Sequence, residues 1–350
     1  MMTKIDWSLW NSKKDNFKKY DKIKSKLIYG EIDSRITDVS IMLLTYKRAD
    51  KLKYALESAI NQDYDKPYQI IVCDDSGFDK ETDDLMRKYC KKYSNVIYYR
   101  HEKNLGQYAN WNRACELCPT TWYCLLHDDD QLKPNYLTKL MEAVFKNEKI
   151  GLIGVYEEAN DYRSDVKRKK RLLDRFIDCF INLRGSRLIN LKLKDNIKHI
   201  YVMNSTFINK EKAYDIGGLN DIFYPSSDFA FSAKMAYYYT TYFMPVKLVD
   251  KGIDSESASL GVDVCEDSIV CAYNQTYQMC KTLGYSDKKA IKKASIAAVI
   301  SEIGVRGYNN VDYGKVKEKL GMKKKYNNKI MINLINIYSK LNWGLLLFRR

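Results

Sequence analysis

No stretch of this chain strings together the roughly 18 to 20 apolar residues needed to cross a bilayer. Met1 to Tyr20 is polar and lysine-rich, which is unlike a secretory signal. No GxGxxG follows the first apolar run, which disfavours a nicotinamide enzyme, and no P-loop is present. The first loop reads Thr45-Tyr46-Lys47-Arg48, with no glycine to let backbone wrap a phosphate. A bound nucleotide would therefore be held by side chains and metal. Nine cysteines, an odd number scattered through helix- and strand-like segments, read as reduced thiols of a cytosolic protein. Cys115 and Cys118 have CxxC spacing, but no second pair follows at zinc-finger distance.

What is present suits one large domain, or one with an appendage: 350 residues, 45% of them hydrophobic. The net charge of +15 is unevenly placed. Residues 1–37, 161–200 and 321–350 carry surpluses of +4, +7 and +7, leaving the rest at about −3. That pattern fits docking on anionic lipid or a polyanionic partner, and equally a solubilising surface.

Residues 1–37 form a charged leader with Trp7, Trp10, Phe17 and Tyr20, helical in part. From Val39 the texture alternates. Val39 to Thr45 reads as a buried strand. Ala49 to Gln62 follows, with Leu52, Ala55, Leu56, Ala59 and Ile60 at helical period. Tyr68 to Cys73 is a second strand, ended by Asp74 and Asp75. A helix to about Tyr93, a strand from Val96 to Tyr99, a helix from Gln107 to Leu117 and a strand from Trp122 complete the series. Such alternation predicts an α/β fold with a doubly wound, mostly parallel sheet, whose ligands bind beyond the carboxyl ends of the strands. Thr45, Asp74, Asp75 and Asp128 to Asp130 all fall there. Three successive carboxylates at a buried strand end repel and are costly to desolvate, so the run reads either as holding a cation, a divalent metal above all, or as a solvated acidic loop.

The ordered segments Val-Ser-Ile-Met-Leu-Leu-Thr-Tyr-Lys-Arg, Ala-Leu-Glu-Ser-Ala-Ile-Asn-Gln, Ile-Ile-Val-Cys-Asp-Asp-Ser, Asn-Leu-Gly and Leu-Leu-His-Asp-Asp-Asp resemble the family 2 glycosyltransferases of the GT-A fold. Gly217-Gly218-Leu219-Asn220 followed by Asp228 resembles that family's Gly-Gly-Phe-Asp segment and its downstream Glu-Asp. The resemblance spans roughly residues 38–260 and implies a Rossmann-like GT-A domain there, with 161–196 a basic acceptor-side insertion and 261–350 a helical extension. It implies that Thr45, Tyr46 and Arg48 line the base pocket. Asp74 and Asp75 would bind base or ribose, with Asn104 and Arg113 also on the donor side. Asp128 and Asp129 would grip the donor, and Asp128, Asp129 and Asp130 a Mn²⁺ or Mg²⁺ bridging its diphosphate. Asp228 would be the general base of an inverting transfer. Two positions depart from the family: His127 stands where its first Asp falls, and Ser227 replaces the Glu before Asp228.

Elsewhere the readings stay open. Lys167 to Arg171 leads into Leu172, Leu173, Phe176, Ile177, Phe180 and Ile181 at helical spacing, either an interfacial helix or one packed on the core. The same pair of readings holds for Lys329 to Phe348. Met203-Asn204-Ser205-Thr206 is expected to end a strand, Tyr242 to Val249 to form a late one, and the Asp254 to Ser259 loop to close over the donor phosphates. The resemblance implies a nucleotide-sugar donor (a UDP-sugar first), a saccharide or lipid-linked glycan acceptor, and no nucleic acid. A leaderless chain rich in Lys, Asn, Ile and Tyr looks bacterial, suiting capsule, lipopolysaccharide or wall-glycan assembly in the cytoplasm or at the inner face of its membrane. A metal-dependent nucleotidyltransferase and a non-enzymatic basic module binding membrane or nucleic acid are the competing readings.

Overall fold

The computed structural model describes residues 5–145, 149–161, 181, 185–198, 205–253, 262–305 and 313–320, with Leu341 and Leu345. Ten strands form one sheet: β1 (Ser25–Tyr29), β2 (Val39–Thr45), β3 (Gln69–Asp74), β4 (Val96–His101), β5 (Trp122–His127), β6 (Asp130–Leu132), β7 (Ile150–Asp161), β8 (Ile189–Leu191), β9 (Phe207–Asn209) and β10 (Thr240–Ile253). Their order is β1-β4-β3-β2-β5-β9-β7-β10-β6, with β8 beside β10. The run β4-β3-β2-β5 is parallel, as the alternation predicts. Beyond β5 the sheet is mixed, because β9 runs antiparallel to both β5 and β7.

Period-2 alternation explains why the central strands are apolar throughout. Val39, Ile41 and Leu43 of β2 face one core with Ile70 and Val72; Met42 and Leu44 face another with Ile71 and Cys73. Helices α1 (Ala49–Ile60), α2 (Lys80–Lys92) and α4 (Tyr136–Val144) cover the first face. The second is covered by α3 (Gln107–Leu117), α6 (Lys210–Asp215) and α7 (Ser227–Tyr238), α5 being the single turn Leu193–Asn196. Both faces are dry, which is what a parallel sheet requires.

The leader is helical in part, as expected, with 3-10 turns at Trp7–Asn11 and Phe17–Tyr20. It is not an appendage, however. β1 is the sheet's edge strand, paired antiparallel to β4. Trp10 is 2% exposed and enters a third core with Phe223, Phe229 and Met279. Gly217 and Gly218, both at positive φ, let the leader backbone close in: a Cβ on Gly217 would lie 2.2 Å from the Lys14 carbonyl oxygen. Lys234 of α7, buried, donates to the carbonyls of Gly218 at 3.0 Å and Ser12 at 3.3 Å.

The expected late strand is the middle of β10. The strand expected to end at Thr206 begins after it instead, at Phe207, with Ser205 in the left-handed region (φ 44°). Met203 and Asn204 lie outside the described residues, as do Lys167 to Phe180, Asp254 to Ser259 and most of Lys329 to Phe348. The extension is helical where described: α8 (Val262–Thr282) and α9 (Asp287–Val305) pack together, and α10 (Tyr313–Leu320) joins α8. Among the described residues no helix is long and apolar enough to cross a membrane. The eight described cysteines are free thiols, Cys115 and Cys118 included.

Candidate active site

Asp128 directly follows β5 and is 1% exposed. Thr45 at the end of β2 donates its hydroxyl to Asp128 Oδ2 at 2.8 Å, and the Tyr46 amide reaches the same oxygen at 3.4 Å. Arg48 completes the set. Its Nε lies 3.2 Å from Asp128 Oδ2, its Nη2 pairs with Asp128 Oδ1, and its Nη1 lies 3.3 Å from Asp129 Oδ2. This guanidinium is thus a cation paired with both Asp128 and Asp129. Lys47 takes φ 51°, a strained value for a non-glycine, in the turn that brings Arg48 back over the strand end. Burial still pushes the Asp128 carboxyl up to about 6, with Arg48 opposing it and Asp129 adding to it.

The three aspartates do not converge. Asp130 opens β6, accepts the Gly252 amide at 3.2 Å, and is pushed well above the carboxylate range by burial. Asp129 lies between, its side chain 18% exposed. Among the described residues no three His, Cys, Asp or Glu side chains are grouped as a metal cage. A magnesium-type ion needs only one or two carboxylates when substrate phosphates supply the rest. Asp129, the least buried of the three and 3.3 Å from Arg48 Nη1, fits that donor set; Asp128 and Asp130 are buried and hydrogen-bonded.

At the end of β3, Asp74 accepts from Tyr98 Oη at 2.6 Å and from the Ser76 hydroxyl at 2.8 Å and amide at 2.9 Å. Asp75 accepts from the amides of Leu105 at 2.6 Å and Gly106 at 3.0 Å, and burial raises it to about 6. This pair ties β3 to the Asn-Leu-Gly loop at the start of α3, leaving Asn104 exposed. Arg113 makes its hydrogen bonds elsewhere, although its charge lowers the pKa of Asp75 against the burial that raises it. Its guanidinium is buried against the leader, donating to the carbonyls of Ile23 at 2.8 Å and Tyr20 at 3.1 Å, to Ser25 Oγ at 2.6 Å, and to Glu116 at 2.8 Å.

Asp228 is the second residue of α7, where a helix N-terminus favours an anion. Its Oδ1 accepts the Phe229 amide at 2.8 Å, and burial raises its pKa. Ser226 is the N-cap but makes no side-chain cap bond. A row of rings joins the two acidic regions: Tyr224 to Tyr108 at 6.0 Å, Tyr108 to Trp111 at 5.6 Å, Trp111 to His127 at 5.0 Å. His127 is neutral, lowered to about 4 chiefly by burial, and its buried Nε2 has no hydrogen-bond partner among the described residues.

Two site residues carried no sequence signal. Lys251 pairs across the sheet with Asp130, lies 4.0 Å from Glu157, and its charge lowers the pKa of both Asp130 and Asp228. Gly252 lies so close to the acidic turn that a Cβ there would stand 2.1 Å from the Asp129 carbonyl oxygen.

A buried acid at one strand end, a partly exposed one beside it and a further acid at a helix start sit on a GT-A sheet, the fold of one class of glycosyltransferases. The family described as glycosyl transferase family 2 matches residues 40–217, and the chain belongs to it. That membership sets aside the nucleotidyltransferase and the non-enzymatic readings. An uncharacterized glycosyltransferase of Methanocaldococcus jannaschii is 26% identical over 179 residues, covering 49% of this chain and 61% of that one. One of Mycoplasma pneumoniae is 32% identical over 111 residues, covering 31% and 37%. The chain thus matches less than two thirds of either relative's length. Among solved structures, S. aureus TarS 1-349 overlays with a TM-score of 0.51 at 12% identity, covering 89% of this chain and 90% of that one. The same protein in complex with UDP-GlcNAc gives 0.52 at 12% identity and the same coverage. At this identity the likeness is one of fold.

Proposed function

We propose that the chain is an inverting glycosyltransferase. It moves a sugar from a nucleotide-diphosphate donor, a UDP-sugar, to a saccharide or lipid-linked glycan acceptor in bacterial surface polysaccharide assembly. The observation that carries the reading is Asp228: a raised-pKa carboxylate at a helix start, joined through Tyr108, Trp111 and His127 to the Asp128–Asp129 turn. The UDP-GlcNAc complex of TarS supports uracil as the base. In this reading Thr45, Tyr46 and Arg48 hold Asp128 and shape the donor pocket. Asp129 binds a Mn²⁺ or Mg²⁺ together with the donor diphosphate. That ion supplies Lewis-acid stabilisation of the charge gathering on the leaving nucleotide. Asp228 accepts the proton of the acceptor hydroxyl as its oxygen bonds to the anomeric carbon and the bond to the diphosphate breaks on the opposite face. One base and one displacement invert that carbon. The enzyme works in the cytoplasm or at the inner face of the membrane, its basic segments toward anionic lipid.

Calorimetry of UDP, GDP, ADP, CDP and their sugar conjugates, with and without Mn²⁺, tests this. Metal-dependent binding of one nucleotide, lost in Asp129→Ala and kept in Asp228→Asn, is the expected result. A folded protein that binds none of them under either condition would overturn it.

A further inference from the structure

We propose that Gln275, on α8, is a positioning residue for Asp228, acting on the peptide from which α7 starts; the inference rests on Asp228 being the base. The usual device at that helix start is missing, since the Ser226 side chain caps nothing. Gln275 does the fixing from outside. Its Nε2 donates to the Ser226 carbonyl at 3.1 Å, the same oxygen that takes the first helical bond from the Ala230 amide at 3.2 Å. One turn earlier on the same face of α8, Cys271 Sγ lies 3.7 Å from the carbonyl oxygens of both Phe223 and Tyr224. From the opposite side Tyr108 Oη donates to the Pro225 carbonyl at 2.6 Å. Every carbonyl from Phe223 to Ser226 therefore has a partner, three of the four on α8.

Gln275 is fully buried, and its Oε1 has no hydrogen-bond partner among the described residues; nor has Ser227 Oγ beside its contact. A half-satisfied buried amide is destabilising and is a poor choice for packing alone. Its satisfied half is aimed at the one peptide that sets the height of Asp228. α8 also begins at Val262, past the family match that ends at residue 217. The brace thus comes from outside the family-defining segment. A general base displaced by about 1 Å can lose on the order of 100-fold in rate, so a brace on this peptide acts on turnover.

The test compares wild type, Gln275→Met (similar shape, no donor) and Gln275→Asn (donor withdrawn by one methylene), each alone and with Asp228→Asn. Each is read by hydrolysis of the tightest-binding UDP-sugar under single-turnover conditions. Turnover should fall roughly 10- to 100-fold in both single variants, with the nucleotide Kd within about twofold of wild type. The acid limb of the pH–rate profile should move to lower pH as Asp228 meets more water. In the Asp228→Asn background the same changes should cost nothing further. Unchanged turnover, an equal loss in both backgrounds, or loss of nucleotide binding in step with turnover would each overturn the positioning role. If Asp228→Asn itself leaves turnover intact, the base assignment fails, a result distinct from Gln275 failing alone. Thermal unfolding identifies any variant that does not fold; the other then carries the test.

Discussion

Replacing Arg48 by methionine separates the buried carboxylate of Asp128 from its cation while keeping most of the packing. Leaving one member of a buried pair alone costs about 3–5 kcal/mol, and Arg48 is itself 27% exposed, so a loss near 3 kcal/mol at pH 7.5 is expected in urea unfolding. The sign of its pH dependence follows from the raised pKa. Asp128 titrates at about 6 in the fold against 3.8 in the unfolded chain, so its contribution to stability is full below pH 3.8 and lost as pH rises through 6. Without Arg48 the folded pKa rises further, and the deficit of the variant should shrink when measured at pH 5. Arg48→Lys should recover little, since an ammonium cannot span both aspartates. At Asp75, asparagine would present an NH₂ to one of the two amides that the carboxylate now accepts, costing about 1–3 kcal/mol by the same measurement. Identity at this scale was only half legible. Asp128 was readable as one of three acids at a buried strand end, whereas Asp228 was readable only through the family resemblance, since an acid at a helix start is ordinary. That Arg48 would sit on Asp128 was not, since the two are 80 positions apart. Arg113 was read toward the donor because an arginine's sequence neighbours say nothing about which carbonyls its fork will meet.

Among the elements, period explains what was readable. β2, β3 and β5 are mostly apolar runs and α1 keeps a 3.6 repeat, so their type and the parallel course of the strands could be foreseen. β9 and β6 are three residues each, too short to show a period, and they supply antiparallel pairings that the alternation did not predict. The turns between elements are where substitution should hurt most. Gly252→Ala would drive a methyl into the Asp129 carbonyl, shifting backbone where β10 meets the acidic turn. Calorimetry should show metal-dependent nucleotide binding weakened at least tenfold while the fold persists by circular dichroism. Gly217→Ala meets the Lys14 carbonyl and a positive φ together, so it should loosen the leader, read as faster proteolysis near Lys13 and Lys14.

For the whole molecule, the leader decides more than its sequence suggested. Its aromatics are few and set among charged and polar residues, with Lys13 and Lys14 between Trp10 and Phe17, yet Trp7, Trp10 and Phe17 each find a ring far along the chain. Deleting residues 1–29 would uncover the β4 edge, Val-Ile-Tyr-Tyr-Arg-His, an aromatic strand with unpaired amides. Such a chain should aggregate on purification, and size-exclusion chromatography would show whether a soluble monomer remains.

That arrangement sets a timetable for synthesis. Trp10 leaves the ribosome 272 residues ahead of Thr282, whose hydroxyl it will meet. At about 5–20 residues per second the interval is on the order of 10 to 60 seconds. For most of it Trp7 and Trp10 wait for Phe223 and Tyr237, and Phe17 for Tyr214. This makes the leader the stretch of the nascent chain most in need of a chaperone, and the stage at which overexpression would first fail.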